Sequence, residues 1–246
     1  MAQLGLDFPT SWGRNYSTRF VRNAIQGLFL TPLMKHMSSL EVRGAEHLDV
    51  PAPLIFVANH TSHLDTPLII AALPKKIRKR LVVAAAMDNF FMKRRIAIQT
   101  VIMFNGIPID RHKLNRRSSQ LALELVEDHW NLLIFPEGGR SPDGDLQEFK
   151  GGAAYLAERS NATVIPTYIH DAGYLRGPKY AKAPQFVNAP YRKTHEIIVA
   201  FGAPLRSEEG ENIRRFGARI EEAVEVLGRE VSGNPDYGVK DASSED

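Results

Sequence analysis

Apolar residues along the chain fall into two patterns. Short unbroken runs bounded by turn residues lie at 53–58 (PLIFVA), 80–86 (RLVVAAA), 104–111 (FNGIPIDR), 131–136 (NLLIFP), 162–169 (ATVIPTYI) and 195–205 (HEIIVAFGAPL). Runs of this length read as buried strands. Helical patterns fall between and after them, at 67–73, 114–130, 151–161 and 212–231. In the first helix Pro67 suits the opening position, with Thr66 as cap. The second turns Leu121, Leu125 and Val126 inward. The last carries Ile213, Phe216, Ile220, Ala223, Leu227 and Val231 along one face, with Gly217 and Val224 beside it. Strands alternating with helices predict an α/β domain whose mostly parallel or mixed central sheet is covered by helices.

Residues 14–34 (RNYSTRFVRNAIQGLFLTPLM) predict an N-terminal amphipathic helical extension. Tyr16, Phe20, Ala24, Leu28 and Phe29 recur at helical spacing, widened by Val21 and Ile25, with Arg19, Arg22, Asn23 and Gln26 opposite. Pro32 is expected to bend or end this helix. A basic amphipathic segment suits a bilayer interface, and the same pattern suits a helix packed on its own domain. The chain therefore divides into an extension (1–40), one α/β domain (41–232) and a polar tail (233–246) that is expected to be flexible.

Composition narrows the chemistry. Of 246 residues, 43% are hydrophobic and 24% charged, enough for a sizeable core and against wholesale disorder. The absence of cysteine excludes disulfides, thiolate metal sites and a cysteine nucleophile. Residues 1–120 hold 17 Lys+Arg against 7 Asp+Glu, and residues 121–246 hold 14 against 21, so the net +3 conceals halves of +10 and −7. A basic first half predicts an anionic partner, and no basic–aromatic array points to nucleic acid. No apolar run reaches the ~18 residues of a spanning helix, and MAQLGLDFPT lacks the pattern of a secretory signal. A soluble or monotopic protein is expected.

Functional groups of an open α/β sheet gather past the carboxyl ends of its strands. Three such loops are rich in chemistry. In ANHTSHLDTP (58–67), His60 is a candidate general base, with Asp65 to fix its tautomer. The alternative is a plain helix cap by Asp65 or Thr66. Ser62 and Thr61 lack a nucleophile elbow, which favours direct attack by a substrate hydroxyl over a covalent intermediate. A metal-dependent hydrolase built on His60, His63 and Asp65 would need further ligands elsewhere. GIPIDRHK (106–113) offers Arg111, or a surface pair of Arg111 with Asp110. FPEGGRSPDG (135–144) offers Glu137, Gly138 and Arg140, because glycines admit a ligand to the backbone and arginine grips phosphate. Its end, SPDGD, reads as a turn. Lys150, before Gly151 and Gly152, is either a cation at a helix start or a solvated lysine.

In order and spacing these stretches resemble the glycerolipid acyltransferase family, which includes 1-acyl-glycerol-3-phosphate acyltransferases. Asn59, His60 and Asp65 match the family's Asn-His-x4-Asp motif, and 106–111 looks like its Gly-apolar-Asp-Arg motif. FPEGGRS (135–141) matches Phe-Pro-Glu-Gly-Thr-Arg-Ser, and VIPTYI (164–169) the apolar-Pro strand. Gly139 stands where the family usually has Thr, which removes a hydroxyl beside Arg140.

The resemblance implies an O-acyltransferase of phospholipid biosynthesis. His60, held by Asp65, would deprotonate an acceptor hydroxyl that attacks the thioester of acyl-CoA or acyl carrier protein. The acceptor would be lysophosphatidic acid or a related lysophospholipid, bound by Arg111, Glu137, Gly138 and Arg140, with Lys150 added from its position. No cofactor and no metal are implied. The enzyme would lie, peripheral or monotopic, on the cytoplasmic face of an anionic membrane, docked through 14–34 with help from KKIRKR (75–80). The alternatives are glycerol-3-phosphate or a glycolipid as acceptor, or a non-catalytic lipid-binding module on the same fold.

Overall fold

The computed structural model describes residues 4–111, 116–141, 144–170 and 196–238. One mixed sheet organises them. Its strands are β1 (Ser39–Arg43), β2 (Leu54–Ala58), β3 (Leu81–Ala86), β4 (Gly106–Ile109), β5 (Asn131–Ile134), β6 (Thr163–His170) and β7 (Glu196–Phe201), in the order β1-β7-β6-β2-β5-β3-β4. Every neighbouring pair is parallel except β6 with β7. The helices are α1 (Tyr16–Ile25), α2 (Thr31–Met37), α3 (Asp65–Ala72), α4 (Lys75–Arg78), α5 (Met87–Phe90), α6 (Arg94–Phe104), α7 (Arg116–Glu127), α8 (Gly152–Ser160) and α9 (Ile213–Ser232).

All five residues of β2 are buried, which suits an apolar strand in the middle of a largely parallel sheet. Leu54, Phe56 and Ala58 pack with Leu68, Ile69 and Ile70 of α3. Ile55 and Val57 pack with Ala153, Ala154 and Leu156 of α8 on the other face. Strands β2 and β5 are neighbours, yet the helices that follow them cover opposite faces. Their loops therefore part at the carboxyl edge of the sheet and leave a crevice between them.

Several elements differ from their sequence patterns. Helix α3 begins at Asp65, so Pro67 is its third residue, and Thr66 makes no capping bond. The buried line of α9 is Phe216, Ile220, Val224 and Gly228, while Ile213 is exposed. Strand β1 (SLEVR) has few apolar residues because it is an edge strand with only β7 beside it. Past residue 232, residues 233–236 are exposed and Tyr237 is buried on the domain. Gly228 leaves a slot that the Tyr237 ring fills, 5.1 Å edge-on from the Tyr168 ring. Residues 239–246 lie outside the described residues.

The extension packs on the domain along one line that is polar at Arg22 and Gln26 and apolar beyond them. Arg22, Gln26, Leu30 and Met34 face the domain, all buried. Their strict four-residue spacing would drift on a helix of 3.6 residues per turn, and a π-helical segment at Gln26–Leu30 takes up the difference. Arg22 donates from Nε to the Ile102 carbonyl (3.0 Å) and from Nη2 to the carbonyls of Val101 (2.9 Å) and Gly13. Gln26 donates to Met103 O at 2.7 Å. These two side chains thus cap the carboxyl end of α6, where helix carbonyls lack partners and the dipole favours a cation. Burial first, and then Arg14 and Arg19, lower the Arg22 pKa to about 10, so it keeps its charge at neutral pH.

The apolar stripe consequently faces outward. Tyr16 is 85% exposed and Phe29 68%, with Phe20, Leu28 and Leu33 beside them. The helix is packed on its own domain, one of the two expectations, through Arg22, Gln26, Leu30 and Met34 rather than through these residues. No helix among the described residues is long and apolar enough to cross a membrane.

Replacing Arg22 by Ala strands the Ile102 and Gly13 carbonyls, Val101 O keeping the Asn105 N–H, and is expected to cost roughly 3 kcal/mol of stability. Chemical denaturation measures this. Arg22→Lys, lacking the fork, should recover only part, and an unchanged midpoint for Arg22→Ala would show that water serves these carbonyls equally well.

Candidate active site

The loop after β2 opens with Asn59, whose buried amide bridges to β6. Its Nδ2 donates to Ile169 O (3.1 Å) and its Oδ1 accepts Ile169 N–H (2.8 Å). This extends the pairing of β2 with β6 by one residue and places His60 at the rim of the crevice. His60 Nδ1 lies 2.7 Å from Asp65 Oδ2. The same oxygen accepts the backbone N–H of Thr61 and of Ser62, both at 2.8 Å. Asp65 is fully buried in the first turn of α3, where the helix dipole favours an anion. A carboxylate on Nδ1 puts the ring proton there and leaves Nε2 as the basic atom. No described residue hydrogen-bonds Nε2, and a fifth of the His60 side chain reaches solvent.

The loop after β5 fixes the rest of His60. Phe135 stacks on the imidazole with ring centres 4.2 Å apart. Glu137 Oε1 accepts the His60 N–H at 2.6 Å, and Ser141 N–H donates to the His60 carbonyl at 2.7 Å. Glu137 Oε2 accepts Gln147 N–H at 3.2 Å. Glu137 is thus a buried clamp between two loops. Both of its oxygens accept from backbone amides.

The expected cations gather on the same edge. Arg111 follows β4, and its Nη1 donates to Gly138 O at 3.2 Å. Lys150 Nζ donates to Arg111 O at 2.7 Å. Gly138 has φ +73°, a conformation that favours glycine, and a Cβ there would displace the Lys150 ammonium. Arg140 is exposed two residues beyond Gly138. A further residue, Asp88 on α5, accepts from Arg111 Nε (3.1 Å) and Nη2 (2.6 Å). His63 is exposed, and among the described residues no three His, Asp or Glu side chains converge as metal ligands.

Against known families, the model described as Acyltransferase matches residues 39–170, more than half of the chain. The chain belongs to the acyltransferase family. Among curated relatives, human 1-acyl-sn-glycerol-3-phosphate acyltransferase beta is 29% identical over 134 residues, covering 51% of this chain and 44% of its own length. The alpha protein of Mus musculus is 30% identical over 133 residues, covering 52% and 44%. The match thus spans less than half of each of those relatives. Among solved structures, the fold resembles the 1-acyl-sn-glycerophosphate acyltransferase PlsC of Thermotoga maritima, with a TM-score of 0.65 and 21% identity over 92% of this chain and 84% of that one.

The matched acyltransferase segment contains every candidate from His60 to Lys150. At Gly139 a Cβ would meet only Arg111 Nη1, at 3.9 Å, so the backbone leaves room for the family's usual threonine. Sequence reasoning missed Phe135 and Asp88. Phe135 lay inside a quoted motif but as an apolar strand residue. Asp88 lay in no motif, and only the pairing of β3 with β4 brings it to Arg111.

If Glu137 serves His60 rather than the acceptor, Glu137→Gln is expected to lower kcat about tenfold and leave the acceptor KM unchanged, because an amide cannot accept at both ends. Steady-state kinetics decides this, and a rise in acceptor KM alone would return Glu137 to the acceptor site.

Proposed function

We propose that this acyltransferase moves an acyl group from an acyl thioester, acyl-CoA or acyl carrier protein, to the free hydroxyl of lysophosphatidic acid or a related lysophospholipid. The observation that carries the reading is the 2.7 Å His60–Asp65 pair at the crevice, with Nε2 bonded to no nucleophile among the described residues. The names of the relatives support the acceptor class.

The chemistry follows from the geometry. Nε2 takes the acceptor's hydroxyl proton as its oxygen bonds to the thioester carbonyl carbon. The buried Asp65 carboxylate stabilises the imidazolium. The tetrahedral adduct then expels the thiolate, which receives the proton from Nε2, so an ester and a thiol leave and the enzyme is restored. Arg111, Arg140 and Lys150 hold the acceptor phosphate. Glu137 is withdrawn from that set and acts on the His60 backbone instead.

The acceptor is a membrane lipid, and the outward stripe of α1 and α2 supports docking on a bilayer. Lys75, Lys76 and Lys79 are exposed in the basic turn, which Arg78 ties to Thr31 of α2 at 2.8 Å. Aromatic groups beside lysines favour an anionic surface.

Purified protein is expected to release thiol from acyl-CoA only when lysophosphatidic acid is present, and His60→Ala should lower the rate at least a hundredfold. A fully active His60→Ala protein would overturn the mechanism. Release that needs His60 but not lysophosphatidic acid would keep the dyad and change the acceptor. For docking, Phe20→Glu with Phe29→Glu should abolish flotation with vesicles rich in anionic phospholipid while leaving stability unchanged, as both rings are exposed. Undiminished flotation would remove the helices from the membrane contact.

A further inference from the structure

We infer that Asp88 is a positioning residue that aligns Arg111 for the acceptor's phosphate. This rests on the acyl-transfer reading above and adds a residue that lies in none of the sequence motifs. Its placement comes from the register of the sheet. Ala86 of β3 pairs with Ile109 of β4. Asp88 and Arg111 each stand two residues beyond that pair, so the parallel strands deliver them side by side.

Their geometry is selective. Asp88 Oδ2 takes the Nε and Nη2 edge of the guanidinium, at 3.1 and 2.6 Å. Gly138 O takes a hydrogen from Nη1. A guanidinium has five N–H donors, so three bonds leave two, one on each terminal nitrogen. Two donors on neighbouring nitrogens suit two oxygens of one phosphate. The backbone beside this side chain is also held, by Lys150 on the Arg111 carbonyl. An arginine side chain free to rotate would lose that freedom on binding a ligand, and here it has been lost beforehand.

Exposure fits a ligand site. Arg111 keeps 27% of its side chain exposed and Asp88 34%, so a phosphate reaches the pair from solvent and substitution opens no core cavity. The pair is neutral overall. Asp88 therefore adds no attraction for the phosphate, and its contribution is orientation. A carboxylate that merely competed with the phosphate for Arg111 would have the opposite kinetic sign, which makes the two roles separable.

The test uses the full chain and initial rates of thiol release from acyl-CoA against short-chain lysophosphatidic acid. Asp88→Asn is expected to raise the acceptor KM about tenfold, the effect of about one hydrogen bond. The acyl-CoA KM, kcat and thermal midpoint should stay within twofold or unchanged, and Asp88→Glu should restore part of the loss. Asp88→Asn added to Arg111→Ala should do nothing more, because the group it positions is gone. Calorimetric titration of the same lipid without donor should give the same ratios independently of turnover. If Arg111→Ala raises the acceptor KM while Asp88→Asn leaves it unchanged or lowers it, this inference alone is overturned. If Arg111→Ala itself leaves acceptor binding unchanged, the acceptor assignment of Arg111 fails, and the role of Asp88 falls with it.

Discussion

His60 has its amide N–H bound by the Glu137 carboxylate, its carbonyl bound by the Ser141 N–H, and its ring bound by Asp65. A histidine on a surface loop ordinarily samples several rotamers and several loop conformations. Here the backbone is fixed from one side by the loop after β5 and the ring from the other by the first turn of α3. Phe135 closes one face of the imidazole. The remaining freedom is small, and Nε2 is held at the mouth of the crevice. That the crevice exists at all follows from α3 and α8 covering opposite faces, so the clamp spans the point where the two loops part.

Three carboxylates near this edge do three different things, and their surroundings decide which. Asp65 is fully buried at a helix start and collects two backbone amides and the ring. Glu137 is buried between loops and accepts from two backbone amides. Asp88 is part-exposed and faces a guanidinium. The cation beside the last is one that solvent, and hence a ligand, also touches. A one-letter reading treats the three alike, whereas their degree of desolvation separates a ring holder, a backbone clamp and a partner for arginine.

The parts of the site written locally were readable from sequence. The apolar run of β2 and the five-residue step from His60 to Asp65 are local, so spacing offered the dyad beside a plain helix cap, and the resemblance in motifs chose between them. The clustering of Arg111, Gly138 and Lys150 followed from strand ends sharing an edge. What depended on pairing between distant segments was not readable. Asp88 meets Arg111 through a strand register, and Glu137 meets His60 through the adjacency of β2 and β5. The extension shows a different limit. An amphipathic pattern gives the apolar direction around a helix, but not whether that direction points at the protein. The carbonyls at the end of α6 demanded donors, and Arg22 and Gln26 supplied them, which turned the aromatic side outward.

Strand β4 joins these two regions. Its amino end follows α6, whose final carbonyls hold α1 in place, and its carboxyl end leads to Arg111. Four residues of extended chain separate the ends, about 13 Å at ~3.3 Å per residue. The offset between the helix that carries the aromatic surface and the arginine at the crevice is therefore a count of peptide units. Side-chain changes on the helix alter how strongly that surface adheres, but not how far the crevice stands from it, and only an insertion or deletion in the strand would reset the distance.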